Sequence, residues 1–167
     1  MLIRLEKETD CDDVYGVHVS AFSTPSEAIL VNALRARAYP VIALVAEEGD
    51  KVFGHIMFSP VSLSDNSSIL VMGLAPMAVV PDRQNQGVGS ELVLAGLEHC
   101  RRLEASAVVV LGHPEFYPRF GFLPSSRFGF DSEYEVPEEV FMAMELVPGA
   151  LGQNAGRAKY HAAFEDL

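Results

Sequence analysis

Basic residues are scarce in this chain of 167 residues, in which 12 Lys and Arg face 23 Asp and Glu for a formal net charge of −11. Proteins that bind nucleic acid need a basic face toward the phosphates, so this balance argues against a nucleic-acid partner. An acidic surface is compatible with a cationic or amine-bearing substrate. It is also common among soluble proteins, where it mainly keeps the protein in solution.

Long apolar runs are missing as well. The longest, residues 69–80, contains Gly73 and Pro76 and falls short of the ~20 residues that a membrane-spanning helix needs. The first eight residues carry charges where a secretory signal would have its apolar centre. We therefore expect a soluble, cytoplasmic protein that does not act at a membrane.

Cysteine is limited to Cys11 and Cys100, which are far apart in the sequence. This spacing suggests neither a disulfide framework nor a zinc site, and no other metal-ligand motif replaces it. We expect two reduced thiols, with Cys100 in the core, and no bound metal.

Hydrophobic periodicity predicts alternating strands and helices. Helices are expected from the acidic residues 10–13 to about residue 20, from 24–27 to before Pro40, and from Val88 onward. Strands are expected at 3–5, 41–46, 52–63, 69–80, 107–111 and 141–146, with polar turns at 48–51 and 64–68. Residues 107–111 are apolar throughout, as in a buried parallel strand, so the third helix would be a crossover between parallel strands. Gly73 and Pro76 indicate a bulge inside the strand at 69–80.

The most informative segment is residues 84–90, where Gly87 and Gly89 open the third helix. Glycines leave the backbone bare, and a helix start presents unpaired N–H groups at the positive end of the helix dipole. Arg83 adds a positive charge beside them. The segment therefore favours a pyrophosphate cradle, although a tight connection without a ligand has the same local pattern.

Two familiar phosphate loops are excluded by spacing. A Walker loop has a Lys and then Ser or Thr directly after its last glycine, but Gly89 is followed by Ser90 and Glu91. The dinucleotide fingerprint has a third glycine or alanine three residues after Gly89, where this chain has Leu92.

The pattern Gln84-x-x-Gly87-x-Gly89 resembles the cofactor loop of the GNAT superfamily of N-acetyltransferases. In that loop an Arg or Gln, two spacers, a Gly, one spacer and a Gly or Ala wrap the pyrophosphate of coenzyme A. A second stretch resembles the same superfamily, because Tyr117 stands four residues before the Gly121-Phe122 pair. Together with His113 and its neighbours, it is similar to the subgroup of small, predicted bacterial acetyltransferases.

The resemblance implies an α/β fold in which helices flank a mixed, twisted sheet. Its fourth strand would carry the bulge, splay from the fifth strand and open a V-shaped cleft. The chain would form a single N-acetyltransferase domain over residues 1–167, with a core at about 3–147 and a C-terminal loop and short helix at 148–167. A homodimer is left open.

The resemblance also implies acetyl-CoA as the acyl donor, and it assigns roles to particular residues. Tyr117 would protonate the departing sulfur, since a phenol is protonated at neutral pH, or would only contact the cofactor. Backbone N–H groups at 77–79 would polarise the thioester carbonyl. The cofactor-binding residues implied are Met77, Ala78, Val79, Arg83, Gln84, Asn85, Gln86, Gly87, Val88, Gly89 and Ser90.

The acceptor is the least defined part. The superfamily acetylates primary amines, of which a small molecule is slightly favoured over a protein amine. No cysteine stands where a covalent intermediate would form, which favours direct attack in a ternary complex. Glu27 is the candidate acceptor contact, and Glu27, His55, His113 and Glu115 are candidate bases by residue type. The alternative is a CoA-binding sensor or partner-binding module that keeps the fold without catalysis.

Overall fold

The structure, a computed structural model, describes residues 1–64, 68–152 and 156–166. Three α-helices are present in these ranges: α1 (Cys11–Ala21), α2 (Ser26–Arg37) and α3 (Val88–Arg102). The strands are β1 (Leu2–Leu5), β2 (Ile42–Glu48), β3 (Lys51–Leu63), β4 (Val71–Val79), β5 (Ala107–Leu111), β6 (Leu123–Pro124), β7 (Phe130–Ser132), β8 (Phe141–Glu145) and β9 (Gly156–Lys159). Short 3-10 helices cover Glu8–Asp10, Pro81–Arg83, Tyr117–Phe120, Ser125–Phe128, Glu138–Val140 and Ala162–Asp166.

The strands form one mixed sheet in the order β1-β2-β3-β4-β5-β8-β6. Neighbours along this path are antiparallel except β4 and β5, which are parallel because α3 returns the chain to the same end of the sheet. β9 adds to the sheet separately, antiparallel to β3 and parallel to β7. The mixed sheet with flanking helices confirms the predicted fold class.

Helices cover both faces of the sheet. The buried side chains of α3 recur every three or four residues, at Leu92, Val93, Leu97 and Cys100, so one stripe of the helix packs on the sheet. α1 and α2 lie on the opposite face, where Leu30 and Leu34 pack with residues of β2, β3 and β4. None of the helices in the described ranges is long and apolar enough to span a membrane.

The centre of the sheet is interrupted at the predicted place. Ile56 of β3 pairs with Met77 of β4, but the next aligned pair is Phe58 with Leu74, so two residues of β4 bulge opposite one residue of β3. β4 also pairs with β5 only as far as Gly73. Beyond that residue the two strands separate, which confirms the predicted bulge and the splayed central strands.

The C-terminal region differs from the expected loop and short helix at 148–167. Gly156–Lys159 is a strand, followed by the 3-10 helix Ala162–Asp166. This strand has weak β propensity of its own and forms because β3 and β7 supply hydrogen-bonding partners on both sides.

The predicted turn at 64–68 lies partly outside the described residues. β6 and β7 have two and three residues, too few for an alternating pattern.

Candidate active site between the splayed strands

The connection from β4 to α3 is a compact loop held by its own side chains. Gln84 donates from Nε2 to the carbonyl of Val79 at 2.8 Å, and Gln86 donates from Nε2 to the carbonyl of Asp82 at 3.0 Å. Gly87 has a φ of +87°, a conformation that favours glycine. The two glutamine side chains therefore stabilise the loop that leads into α3.

The amides of this loop are available to a ligand. The N–H groups of residues 85–90 have no acceptor within the described part of the chain, and Glu91 is the first to bond, to the carbonyl of Gly87 at 3.1 Å. A cluster of free N–H groups at the start of a 15-residue helix is an anion-binding arrangement. The loop therefore has the free N–H groups that the glycine pattern predicts, and their use in holding a pyrophosphate stays a prediction.

The loop forms one wall of a cleft of about 550 Å³. The opposite wall comes from the segment after β5, which carries Tyr117. The lining residues are Met77, Val79, Arg83, Gln84, Asn85, Gly87, Val88, Gly89, Ser90, His113, Phe116, Tyr117 and Arg119. The structure therefore brings together at one cleft all the predicted cofactor residues except Ala78 and Gln86.

Ala78 and Gln86 lie outside the lining for clear reasons. Side chains alternate along a strand, so Met77 and Val79 face the cleft while Ala78 is buried against α1 and α2. Gln86 is exposed and its side chain bonds back to the loop. A cofactor contact by either residue would have to use backbone atoms.

Two guanidinium groups border the cleft. Arg83 was expected, but its Nη2 lies 2.9 Å from Oε2 of Glu48 and its guanidinium stacks 3.9 Å from the centre of the Phe53 ring. Its charge is therefore partly neutralised. Arg119 is not among the predicted cofactor residues, although it lies inside the Tyr117 motif; its guanidinium stacks 4.5 Å from the centre of the Phe116 ring.

The ring of Tyr117 is packed between other aromatic rings, and its hydroxyl makes no hydrogen bond within the described residues. Its ring packs edge-on against Phe116 and Phe122, and it fits because Gly112 has no Cβ, which would overlap the ring. The side chain is 7% exposed, and its hydroxyl has no hydrogen-bond partner among the residues described. Burial raises the pKa of Tyr117 to about 12, so the phenol remains a proton donor at neutral pH.

The candidate bases are separated by the fold. His113 lines the cleft, whereas Glu115 does not. His55 is fully buried between α1 and the sheet: its Nδ1 lies 2.8 Å from Nε2 of His18, and its Nε2 lies 3.1 Å from Oε1 of Glu6. Burial lowers the pKa of both histidines, so each is neutral in the fold. His55 therefore belongs to a buried polar network rather than to the cleft.

The carboxylate of Glu6 anchors that network. Burial favours its protonated form, but the close contact with Nε2 of His55 and the hydrogen bonds from Arg35 outweigh this effect and hold its pKa at about 2. Arg35 donates to both carboxylate oxygens, at 3.0 and 2.7 Å. No local sequence pattern indicates this network, because its members come from four separate segments of the chain: Glu6, His18, Arg35 and His55.

The remaining candidates lie away from the cleft. Glu27 is in the first turn of α2 and does not line the cleft; its Oε2 is buried and has no hydrogen-bond partner among the residues that the structure describes. Neither cysteine lines the cleft, and burial raises the pKa of Cys100 to about 12. Over the described ranges, His, Cys, Asp and Glu side chains form no group of three or more that could hold a metal ion.

Several known proteins are similar to this chain in sequence and architecture. Residues 2–124 match the family model of the acetyltransferase (GNAT) domain. The uncharacterized N-acetyltransferase YjhQ of Escherichia coli K12 is 38% identical over 136 residues, which are 79% of this chain and 75% of YjhQ. The uncharacterized N-acetyltransferase YhbS of the same strain is 32% identical over 165 residues, 98% of each chain.

Two solved structures extend the likeness to three dimensions. The crystal structure of Escherichia coli YhbS in complex with CoA superposes with a TM-score of 0.91 at 31% identity, covering 98% of this chain and 91% of YhbS. A GNAT family acetyltransferase from Brucella melitensis, in complex with acetyl-CoA, gives a TM-score of 0.81 at 34% identity and covers 98% and 97% of the two chains.

Proposed function

This chain belongs to the GNAT family of acetyltransferases, and we propose that it transfers the acetyl group of acetyl-CoA to a primary amine by direct attack in a ternary complex. One observation supports this most strongly. A single cleft has the free amides of residues 85–90 at one end and the unpaired hydroxyl of Tyr117 on its other wall. The free amides suit a pyrophosphate, and the hydroxyl suits a leaving group that must be protonated.

The residues present fit acetyl-CoA. The cleft combines free N–H groups, a glycine without a side chain at position 89, and the guanidinium groups of Arg83 and Arg119. These features make the cleft locally favourable to an anion despite the acidic net charge of the chain. The relatives YhbS and the Brucella protein hold CoA and acetyl-CoA respectively.

The acyl end of the cleft offers a proton donor and an open strand edge. Attack of a neutral amine on the thioester of acetyl-CoA releases CoA as a thiolate that must be protonated. The hydroxyl of Tyr117 is protonated and free to donate. Beyond Gly73 the edge of β4 toward β5 has no partner among the described strands. N–H groups alternate along a strand and that of Ala78 faces β3, so the N–H groups of Met77 and Val79 are the candidates for pairing with the pantetheine and polarising the carbonyl.

Direct attack is favoured over a covalent acetyl-enzyme. A cysteine nucleophile would have to lie in the cleft and ionise readily. Cys100 is fully buried with a raised pKa, and Cys11, the first residue of α1, is not among the described residues that line the cleft. The acetyl group would therefore pass to the amine in one step.

The test is Tyr117→Phe, assayed by amine-dependent release of free thiol and by calorimetric binding of acetyl-CoA. Removing an acid lowers kcat by about 100- to 10,000-fold. The hydroxyl has no hydrogen-bond partner in the part of the chain that the structure describes, so thermal stability should not fall. Acetyl-CoA should bind with nearly unchanged Kd.

Two results would separate the alternatives. A wild-type kcat in Tyr117→Phe would show that the tyrosine packs in the fold or contacts the cofactor but is not an essential acid. Tight acetyl-CoA binding by the wild type, together with no thiol release across a broad amine panel, would favour the CoA-binding sensor. A small-molecule acceptor, the contact with Glu27, the cytoplasmic location and the homodimer stay predictions.

A further inference from the structure

The two arginines that border the cleft differ in how much of their charge is free. Arg83 lies 2.9 Å from a carboxylate oxygen of Glu48, so its charge is partly neutralised. Arg119 also lines the cleft, and no Asp or Glu in the part of the chain that the structure describes forms an ion pair with it. Arg119 is therefore the guanidinium whose full charge is available to a ligand.

Contacts with its own segment fix the orientation of the Arg119 guanidinium. Its Nε donates to the carbonyl of Phe116 at 3.2 Å, and its Cζ lies 4.5 Å from the centre of the Phe116 ring. Nη1 and Nη2 have no acceptor among the described residues, and the side chain is exposed. These two nitrogen atoms can bind an anion at the solvent side of the cleft, and little side-chain ordering remains to be done.

Phe116 links Arg119 to the start of α3. A Cβ added at Gly89 would lie 3.7 Å from Cζ of Phe116, and the guanidinium of Arg119 stacks on the same ring. One phenyl ring therefore contacts both the helix start and the guanidinium. A ligand that places one anion at the free N–H groups of residues 85–90 can place a second anion, a few covalent bonds away, at Arg119.

Coenzyme A carries two separate anionic groups of this kind. The pyrophosphate joins the pantetheine to the adenosine, and the ribose of the adenosine carries a terminal phosphate on its 3′ oxygen. A terminal phosphate presents three free oxygens and a charge of about −1.5 to −2 near neutral pH. A guanidinium binds such a group through two parallel N–H···O bonds, so it suits the terminal phosphate particularly well.

We propose that Arg119 binds the 3′-phosphate of coenzyme A, so that the protein distinguishes CoA from 3′-dephospho-CoA. The proposal rests on the proposed function, in which the N–H groups of residues 85–90 hold the pyrophosphate. It assigns the second anion of the cofactor to a side chain on the opposite wall of the cleft. Arg119 is then a residue that determines cofactor specificity.

The experiment compares the Kd of CoA with that of 3′-dephospho-CoA by calorimetry, so it does not depend on turnover. The wild type should bind CoA about 10-fold more tightly, as expected for one charge-assisted contact at an exposed, salt-screened site. The preference should narrow as the ionic strength rises, because exposed charges are screened.

Arg119→Gln is the diagnostic variant, and Arg102→Gln, the same change at an exposed position of α3 outside the cleft lining, is its matched control. Arg119→Gln should raise the Kd of CoA by about 10-fold and leave that of 3′-dephospho-CoA within about 2-fold of the wild type. The retained affinity for 3′-dephospho-CoA would also show that the variant is folded. Arg119→Lys keeps the charge without the fork and should retain part of the preference. Arg102→Gln should change neither Kd.

Equal affinity of the wild type for the two cofactors would overturn the inference. An equal loss of affinity for both cofactors in Arg119→Gln would also overturn it, because the guanidinium would then serve the pyrophosphate. Failure of the proposed function has a different signature. In that case the wild type prefers CoA and Arg119→Gln abolishes the preference, yet acetyl-CoA releases no thiol with any amine of the panel.

Discussion

The buried pair of His18 and His55 should make the fold lose stability in mild acid. Both side chains are fully buried and mutually hydrogen-bonded, and burial lowers the pKa of His18 to about 3 and that of His55 below its ordinary value. In the unfolded chain each histidine takes up a proton near pH 6.5. The stabilisation is therefore complete above about pH 6.5 and is lost as the pH falls below it.

The size of the effect follows from proton linkage. Each histidine that is protonated only in the unfolded state removes about 1.4 kcal/mol per pH unit. Between pH 6.5 and 5.0 this is about 2 kcal/mol for His18, and the lowered pKa of His55 adds a further loss in the same direction. Glu6, with its pKa near 2, adds to the loss only below about pH 4.5. The change in stability between pH 6.5 and 5.0 therefore reports on the histidines and not on Glu6.

The assay is urea unfolding followed by far-ultraviolet circular dichroism at several pH values between 7.5 and 5.0. The perturbation is His18→Gln, which lowers stability at every pH but should also flatten its pH dependence by about 1.4 kcal/mol per pH unit below 6.5. His99→Gln, at a half-buried position near the end of α3, is the control and should retain the wild-type slope. Identical slopes in the wild type and His18→Gln would refute the buried-neutral assignment.

Two glycines give sharper geometric tests. In Gly96→Ala the new Cβ would overlap the buried ring of Phe58, so urea unfolding should show a loss of about 1–3 kcal/mol, whereas Gly16→Ala, with open space around it, should gain about 0.5–1 kcal/mol; equal stabilities would contradict the packing. In Gly112→Ala the Cβ would displace the ring of Tyr117, so kcat should fall by about 10- to 100-fold while the Kd of acetyl-CoA stays within about 3-fold; an unchanged kcat would show that the position of the ring is not critical.

The parts of the fold that sequence predicted well depend on local signals. Gly73 and Pro76 interrupt an otherwise β-rich run, and the bulge forms at Ala75 and Pro76. The helical stripe beginning at Val88 has the required spacing, and the buried face of α3 follows it. The glycine loop and Tyr117 were found because each belongs to a short motif whose residues are close in the chain.

What sequence missed depends on contacts between distant segments. β9 forms only because β3 and β7 pair with it, so neither the strand nor the position of Tyr160 could be predicted from residues 148–163 alone. The partner of Arg83 is Glu48, at the end of β2, which a local pattern does not indicate. The contact between His18 and His55 likewise requires α1 to be packed on the sheet.

The central claim is that the free backbone amides of residues 85–90 hold the pyrophosphate of acetyl-CoA. Gly89→Glu tests it well, because a Cβ there would make only ordinary contacts, 3.6 Å to Cε of Met77 and 3.7 Å to Cζ of Phe116. The fold should therefore persist. Gly16→Glu, the same change on an exposed helical position, is the matched control.

The decisive measurement is the calorimetric Kd of acetyl-CoA for the wild type, Gly89→Glu and Gly16→Glu. Like charges about 4 Å apart near a protein surface repel by about 4 kcal/mol, and salt and side-chain motion reduce this, so Gly89→Glu should weaken binding by roughly 30- to 100-fold. Gly16→Glu should bind like the wild type. Equal affinity of Gly89→Glu and the wild type would contradict the assignment of the cradle.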